Sequence, residues 1–265
     1  MKLNITHTTS YSYDAPVIYG LQQVRLTPLS NTQQDVLDWS VQIEGGKQEL
    51  SFLDEHQNHT MLVQATPGVN HVQFTASGTV ETHDNAGVLG QIYGTAPLWH
   101  FLMTTPRTAP GKGLRKLARS LTGKSNLLDT LHTLSQDIRD HVPYGQASTF
   151  VDTSAEDALA AGGGVCQDHA QIFIAACRLA DVPARYVSGY LMMNDRIDQE
   201  ASHAWAEAHI DGLGWVGFDV SNVISPDERY VRIATGLDSH DASPISGMRV
   251  GPANESMIVS VQVQQ

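Results

Sequence analysis

The stretch Gly162-Gly163-Gly164-Val165-Cys166-Gln167-Asp168-His169-Ala170 decides how this chain is read. Three glycines let the backbone turn sharply and come close to a ligand. The residues that follow, as far as Ala180, are apolar almost all round: Ala170, Ile172, Phe173, Ile174, Ala175, Ala176, Cys177 and Leu179. A helix with that pattern is buried on most sides. The stretch therefore predicts a central helix that begins at Cys166. At such a helix start the dipole stabilises a thiolate, and the Cys166 N–H has no partner within the helix. Cys177 falls mid-helix among Ala and Leu and reads as inert packing.

Downstream, Ser202-His203-Ala204-Trp205 opens a predicted strand over residues 202–210. Period two puts His203, Trp205, Glu207 and His209 on one face and Ala204, Ala206 and Ala208 on the other. The small alanine face suits close packing on the central helix or on another layer. A strand over residues 215–220 comes next and carries Asp219. Between the two strands, Asp211-Gly212-Leu213-Gly214 is a hairpin apex. The midpoint of 203 and 219 is 211, so antiparallel pairing is expected to set His203 directly opposite Asp219. That register needs a loop of three or five residues, or a bulge, with Gly212 or Gly214 at positive φ. Taken singly, a strand histidine is a surface residue and an acid at a strand end is a turn former. Taken with Cys166, they suggest a thiol, an imidazole and a carboxylate acting in series as a nucleophilic site.

The chain has 265 residues, room for one large or two ordinary domains, with 41% apolar and 17% charged residues, as in globular proteins. Its net charge of −12, from 16 basic and 28 acidic residues, argues against nucleic acid or an anionic membrane surface as partner. The one basic cluster, residues 107–124, reads as a solvated linker. No 18-residue apolar run predicts a membrane span. The first six residues alternate like a strand and lack the apolar core of a signal peptide, so a cytoplasmic location is the default expectation. The two cysteines would lie ~16 Å apart on one helix, too far for a disulfide. Both are expected to be free thiols, which suits a reducing compartment.

Residues 1–95 alternate like strands, notably at 10–13, 36–43 and 72–82. Turn residues punctuate them at Gly45-Gly46, Pro67-Gly68 and Asp84-Asn85. This predicts an antiparallel β-sandwich. Leu127, Leu131, Leu134 and Ile138 then mark an amphipathic helix, with Ser125 or Asn126 as N-cap and Pro143 past its end. One central helix followed by strands at 184–191, 202–210, 215–220, 230–235 and 257–263 is an α+β pattern. The expected division is a sandwich at 1–105, a linker at 106–125 and a core at 126–265. Oligomeric state is not legible in the chain.

Metal readings are weaker. His56 and His59 could mimic a metal pair, but no third ligand sits nearby in sequence. Cys166, His169 and His203 have zinc-like residue types, yet zinc would leave Asp219 and the hairpin idle. No Asp-x-Asp-x-Asp-Gly loop indicates calcium. No metal or cofactor is expected.

Four linked motifs resemble the bacterial transglutaminase-like proteins of the papain-like cysteine enzyme superfamily. They are Gly164-Val165-Cys166-Gln167-Asp168, then Pro183-Ala184-Arg185-Tyr186-Val187-Ser188-Gly189-Tyr190-Leu191, then His203-Ala204-Trp205-x-Glu207, then Gly214-Trp215-x-Gly217-x-Asp219. Tyr144 and Thr153-Ser154-Ala155 also look like that family. The first hundred residues resemble the β-rich domain that accompanies its core. The resemblance implies a papain-like transglutaminase core with Cys166 as nucleophile, His203 as base and acid, and Asp219 as the orienting residue. It implies cleavage or transfer at an amide bond of a peptide or isopeptide-like substrate. Hydrolysis is favoured over transamidation, and a binding module without catalysis is the third possibility. Tyr144, Gln146, Gln167 and Trp205 are candidates for binding the oxyanion or substrate. Asp168 is expected to pair with Arg185.

Three places depart from the family's usual pattern. His169-Ala170-Gln171 stands where an aromatic, Ala and His are common. Val220-Ser221 replaces Pro-Thr after the Asp, and Gly236-Leu237-Asp238-Ser239-His240 replaces Gly-Arg-Asp-Tyr. Substrate preference is the property these changes put in question.

Overall fold

The computed structural model describes residues 1–91, 95–123, 126–145, 149–251 and 254–265. Seven strands come first: β1 (Lys2–Tyr13), β2 (Tyr19–Thr27), β3 (Gln34–Glu44), β4 (Gly46–Leu53), β5 (His59–Ala65), β6 (His71–Thr82) and β7 (Val88–Gly90). Four helices follow: α1 (Lys112–Ala118), α2 (Leu127–His141), α3 (Ala155–Ala161) and α4 (Cys166–Leu179). The chain closes with β8 (Ala184–Leu191), β9 (Asp198–Gln199), β10 (His203–Ile210), β11 (Gly214–Phe218), β12 (Tyr230–Gly236), β13 (Ile245–Val250) and β14 (Glu255–Gln264). The fold is α+β, as its sequence pattern predicts.

Three antiparallel sheets organise it, ordered β3-β6-β1-β14-β9, β13-β2-β5-β4 and β12-β8-β10-β11-β7. The first two form the sandwich around Tyr11, Val24, Leu26, Val63 and Phe74. Strand β1 alternates so regularly that one face serves two cores. Its Tyr11 and Tyr13 enter the sandwich, while Leu3 and Ile5 pack with Val261 and Val263 against Tyr190, Val231 and Ile233 of the third sheet. Between them His7 bonds the Tyr190 hydroxyl at 2.8 Å and the Thr9 hydroxyl at 3.0 Å. Burial lowers its pKa to about 4, so it stays neutral.

Helix α4 lies on the third sheet. Eleven of its fourteen residues are buried, which is what an apolar circumference requires. Ala204, Ala206 and Ala208 share a core with Ile172, Phe173 and Ala176, so the small face of β10 admits the helix closely. Each fully buried Phe or Ile contributes about 1.5–3 kcal/mol. Helix α2 buries Leu131, Leu134 and Ile138, and Asn126 caps it by accepting from the Asp129 N–H at 3.3 Å.

Two segments differ from expectation. The basic stretch is a packed element as well as a connection. Leu114 and Ala118 of α1 are buried, and the Glu156 carboxylate caps that helix by accepting from the N–H groups of Gly113 and Leu114 at 2.7 and 2.9 Å. Its lysines and arginines sit on the outer face, which is why composition alone suggested a solvated linker. The halves of the chain also exchange strands. β14 pairs with β1 and β13 with β2, while β7 joins the third sheet beside β11. The C-terminal strands cover edges that β1 and β2 would otherwise expose. Among the described residues no helix is long and apolar enough to cross a membrane.

Candidate active site

The glycine run ends one helix and starts the next. Gly162 closes α3 in the left-handed region at φ 66°, as helix C-caps commonly do. Gly164 has no room for a side chain, since an added Cβ would lie 2.9 Å from the Asp168 side chain. That carboxylate turns back over the helix start. Its Oδ2 accepts from the Val165 N–H at 2.9 Å and the Thr149 hydroxyl at 2.7 Å. Cys166 is thereby fixed as the first residue of α4, half-buried and reduced. The expected Asp168–Arg185 pair does not form. Strand register sets Arg185 opposite Glu207, and the two bond at 2.7 Å, with Arg232 as the second partner of Glu207.

His203 begins β10 and is 8% exposed. It stands opposite Gly189 of β8. A Cβ on Gly189 would lie 2.7 Å from the Trp205 ring, so that glycine makes space for the indole. Trp205, itself buried, stacks on His203 with ring centroids 6.4 Å apart. Asp219 follows β11 and is wholly buried. The β10–β11 ladder runs Ile210–Gly214 to Ala206–Phe218 around a three-residue turn, with Gly212 and Gly214 at φ 85° and 81°. The loop length and the glycine conformations are those expected, but the centre is residue 212 rather than 211. Asp219 therefore lies diagonal to His203 on the same face instead of directly opposite. The long imidazole spans the diagonal, and His203 Nε2–H donates to Asp219 Oδ2 at 2.6 Å.

Asp219 has further donors. The Tyr230 hydroxyl and Asn222 Nδ2 each donate to Oδ2 at 2.7 Å, and the Asn222 N–H donates to Oδ1 at 3.2 Å. Burial pushes the Asp219 pKa up, but the hydrogen bond and charge of His203, with Tyr230 and Asn222, hold it below the usual carboxylate range. For His203, burial pushes the pKa down. The charge of the Cys166 thiolate and hydrogen bonds with Asp219 and Cys166 outweigh burial and carry it up to about 10. With Nε2 on Asp219, Nδ1 is the nitrogen left for the thiol. The folded-state pKa is above the ordinary 6.5. The stability His203 contributes is thus complete below pH 6.5 and is lost as pH rises through about 10.

The cleft has two arms. One cavity, of about 330 Å³, joins Cys166, Gln167 and His203 to Tyr11, Met257 and Val259 of the sandwich. A wider depression, of about 740 Å³, lies beyond His203 and includes Tyr144, Tyr230 and Asn222. Of the candidates for binding the oxyanion or substrate, Tyr144 lines that second arm, 46% exposed. Gln167 lines the first arm, and its amide donates to the Val151 carbonyl at 3.1 Å. Trp205 faces His203 and Tyr230 rather than open space. Gln146 lies outside the described residues. Sequence reasoning missed Tyr230 and Asn222; the fold alone turns Tyr230 toward Asp219, whereas Asn222, three residues on, is held by a local turn in which its N–H donates to the Asp219 side chain, a short-range signal the sequence did carry.

The zinc reading of Cys166, His169 and His203 does not survive the geometry. Both ring nitrogens of His169 are engaged, with the Val142 carbonyl at 2.7 Å and the Ser221 hydroxyl at 2.8 Å. Burial lowers its pKa, which keeps the ring neutral. The three departures from the family pattern also meet one another. His169 bonds Ser221, and the Ser239 hydroxyl donates to Gln171 Oε1 at 3.2 Å.

A thiol at a helix start beside a strand-borne imidazole, on an antiparallel sheet, is a papain-like arrangement. Residues 115–220 match the transglutaminase-like superfamily and residues 3–81 the bacterial transglutaminase-like N-terminal region. The chain is 26% identical to an uncharacterized protein of Mycobacterium leprae over 99% of its own length and 98% of the other. It is 27% identical to an uncharacterized protein of Mycobacterium tuberculosis, over 99% and 92%. It resembles the crystal structure of a "putative cysteine protease" from Cytophaga hutchinsonii at 27% identity and a TM-score of 0.77, covering 100% of this chain and 91% of that one. The chain belongs to the transglutaminase-like family and carries that family's N-terminal β region.

Proposed function

We propose that the protein is a thiol-dependent amide-bond hydrolase acting on a peptide or isopeptide-like substrate, with Cys166, His203 and Asp219 as its catalytic unit. The observation that carries this reading is the hydrogen-bonded series from Cys166 through His203 to Asp219 at the meeting point of two cleft arms. The Cys166 thiolate attacks the amide carbonyl carbon, and the C=O electron pair moves to oxygen. The Cys166 N–H, at the positive end of α4, donates to that oxyanion. Tyr144 is the candidate second donor. The tetrahedral species collapses, the C–N bond breaks, and the His203 imidazolium gives its proton to the leaving amine. A thioester on Cys166 remains. Neutral His203 then takes a proton from water, whose oxygen attacks the thioester, and the acid leaves with thiolate and imidazolium restored. Asp219 keeps the ring oriented and favours its charged form.

An amine in place of water would turn the same thioester into a new amide. The two outcomes are separated by mass spectrometry of a panel of dipeptides and isopeptides incubated with and without a primary amine. Hydrolysis predicts free acid in both cases. Amide product that replaces the acid whenever amine is present would make the protein a transamidase. No turnover of any member, with no covalent adduct on Cys166, would remove the enzymatic reading.

A further inference from the structure

A cavity of about 600 Å³ shares no lining residue with the cysteine cleft. Its walls include Glu55, His56, Phe101, Arg185 and Trp215. At its edge Glu55, His56 and Asp241 bring one potential ligand atom each within 4.8 Å of one another. We propose that Glu55, His56 and Asp241 bind a divalent transition-metal ion of the zinc class, which ties the β4–β5 loop of the sandwich to the loop after β12.

The loop carrying His56 is held firmly. Asp54 accepts from the N–H groups of His56 and Asn58 at 3.0 and 2.9 Å, and from Arg25 Nε at 3.0 Å. The His56 side chain is 2% exposed, with Nε2 2.7 Å from Asp241 Oδ2. Its Nδ1 is buried and has no hydrogen-bond partner, an expensive state for an imidazole nitrogen. Asp241 is oriented by the Leu237 N–H, which donates to its Oδ2 at 2.9 Å. Glu55, exposed on the same loop, adds a second carboxylate beside the His56–Asp241 pair. Two carboxylates this close repel unless a cation lies between them. Imidazole with carboxylates suits zinc or its neighbours, whereas calcium and magnesium take oxygen ligands alone. His100 stands against His56, ring centroids 5.3 Å apart, and its Nε2 is also buried without a partner. His56 and Asp241 are 185 residues apart, so the third ligand that His56 lacks in sequence is supplied by the fold. His59 takes no part in the cluster.

The consequence reaches the cleft. Asp241 shares its loop with Ser239, His240 and Ala242, which line the cavity around Cys166. A bound ion would brace that wall.

The test is a titration of the full chain with Zn²⁺ and Co²⁺ by calorimetry and absorption, in wild type and in Cys166→Ser, which removes the accessible thiol as a competing ligand. Saturation at one ion per chain in Cys166→Ser is expected, with a raised melting temperature and Co²⁺ bands free of thiolate charge transfer. His56→Gln and Asp241→Asn, which preserve shape and hydrogen bonding, should each weaken binding on the order of 10-fold or more. No saturable binding in Cys166→Ser, or equal binding in both folded variants, overturns the proposal. Should a variant fail to fold, Co²⁺ bound to Cys166→Ser decides by NMR: a paramagnetically shifted imidazole resonance supports the site, and its absence overturns it.

Discussion

Cys166 and Cys177 stand on one helix, eleven residues apart, and differ in almost every property that governs a thiol. Cys166 occupies the first position of α4, half-buried on the first cleft arm and hydrogen-bonded to His203, which lines both arms. Cys177 is wholly buried in the core shared with β10, and burial pushes its pKa far above the usual thiol range. The helix is the same; its end and its middle are different media. At the end, unpaired N–H groups and the dipole stabilise negative charge. In the middle, the backbone donors are spent and the surroundings are hydrocarbon. Under the proposed function, the reactivity of the two thiols is thus set by position along an element rather than by residue type.

Substitutions can break or sharpen that contrast. Cys166→Ala should lower turnover by on the order of 10³-fold or more and leave the fold intact, as urea unfolding would check. Asp219→Asn keeps an acceptor for His203 but loses the charge, so kcat/KM should fall about 10²- to 10⁴-fold with little change in melting temperature. Tyr230→Phe removes one of the donors that orient Asp219. It should cost about tenfold in kcat, with substrate KM unchanged, because the hydroxyl acts through Asp219 rather than on substrate. Cys177→Ala is expected to do the opposite of Cys166→Ala, lowering stability by about 1–2 kcal/mol while turnover per folded molecule stays the same. Loss of catalysis in folded Cys177→Ala would invert the comparison.

The places of the two cysteines, one at the start of α4 and one buried in its middle, were legible in the sequence for a physical reason. Period two in β10 and an apolar circumference in α4 are local patterns, and each is enforced by burial in the same core. Hairpin geometry was legible too, down to the positive φ of Gly212 and Gly214. What local pattern could not set was register. A shift of the hairpin centre by one residue moved Asp219 from beside His203 to the diagonal, and the strand pairing of Arg185 with Glu207 left Asp168 to cap its own helix. Long-range partners were hidden for the same reason. Tyr230 reaches Asp219, Asp241 reaches His56, and β13 and β14 return to β2 and β1 only through the assembled fold. The basic linker shows the converse limit, since charge composition hid the buried Leu114 and Ala118. The departures from the family pattern read singly as uncertainties of specificity. In the fold they are contacts, His169 with Ser221 and Gln171 with Ser239.

The most direct measurement is the rate of iodoacetamide labelling at each cysteine of the native protein, followed by mass spectrometry from pH 5 to pH 10. If Cys166 and His203 form a thiolate–imidazolium pair, Cys166 labels rapidly near neutral pH, where an ordinary thiol is mostly protonated. The account predicts that this rate falls in Asp219→Asn and that Cys177 stays unlabelled until the protein unfolds. Equal labelling of the two cysteines, or a Cys166 that reacts only above pH 8 and is indifferent to Asp219, would contradict it.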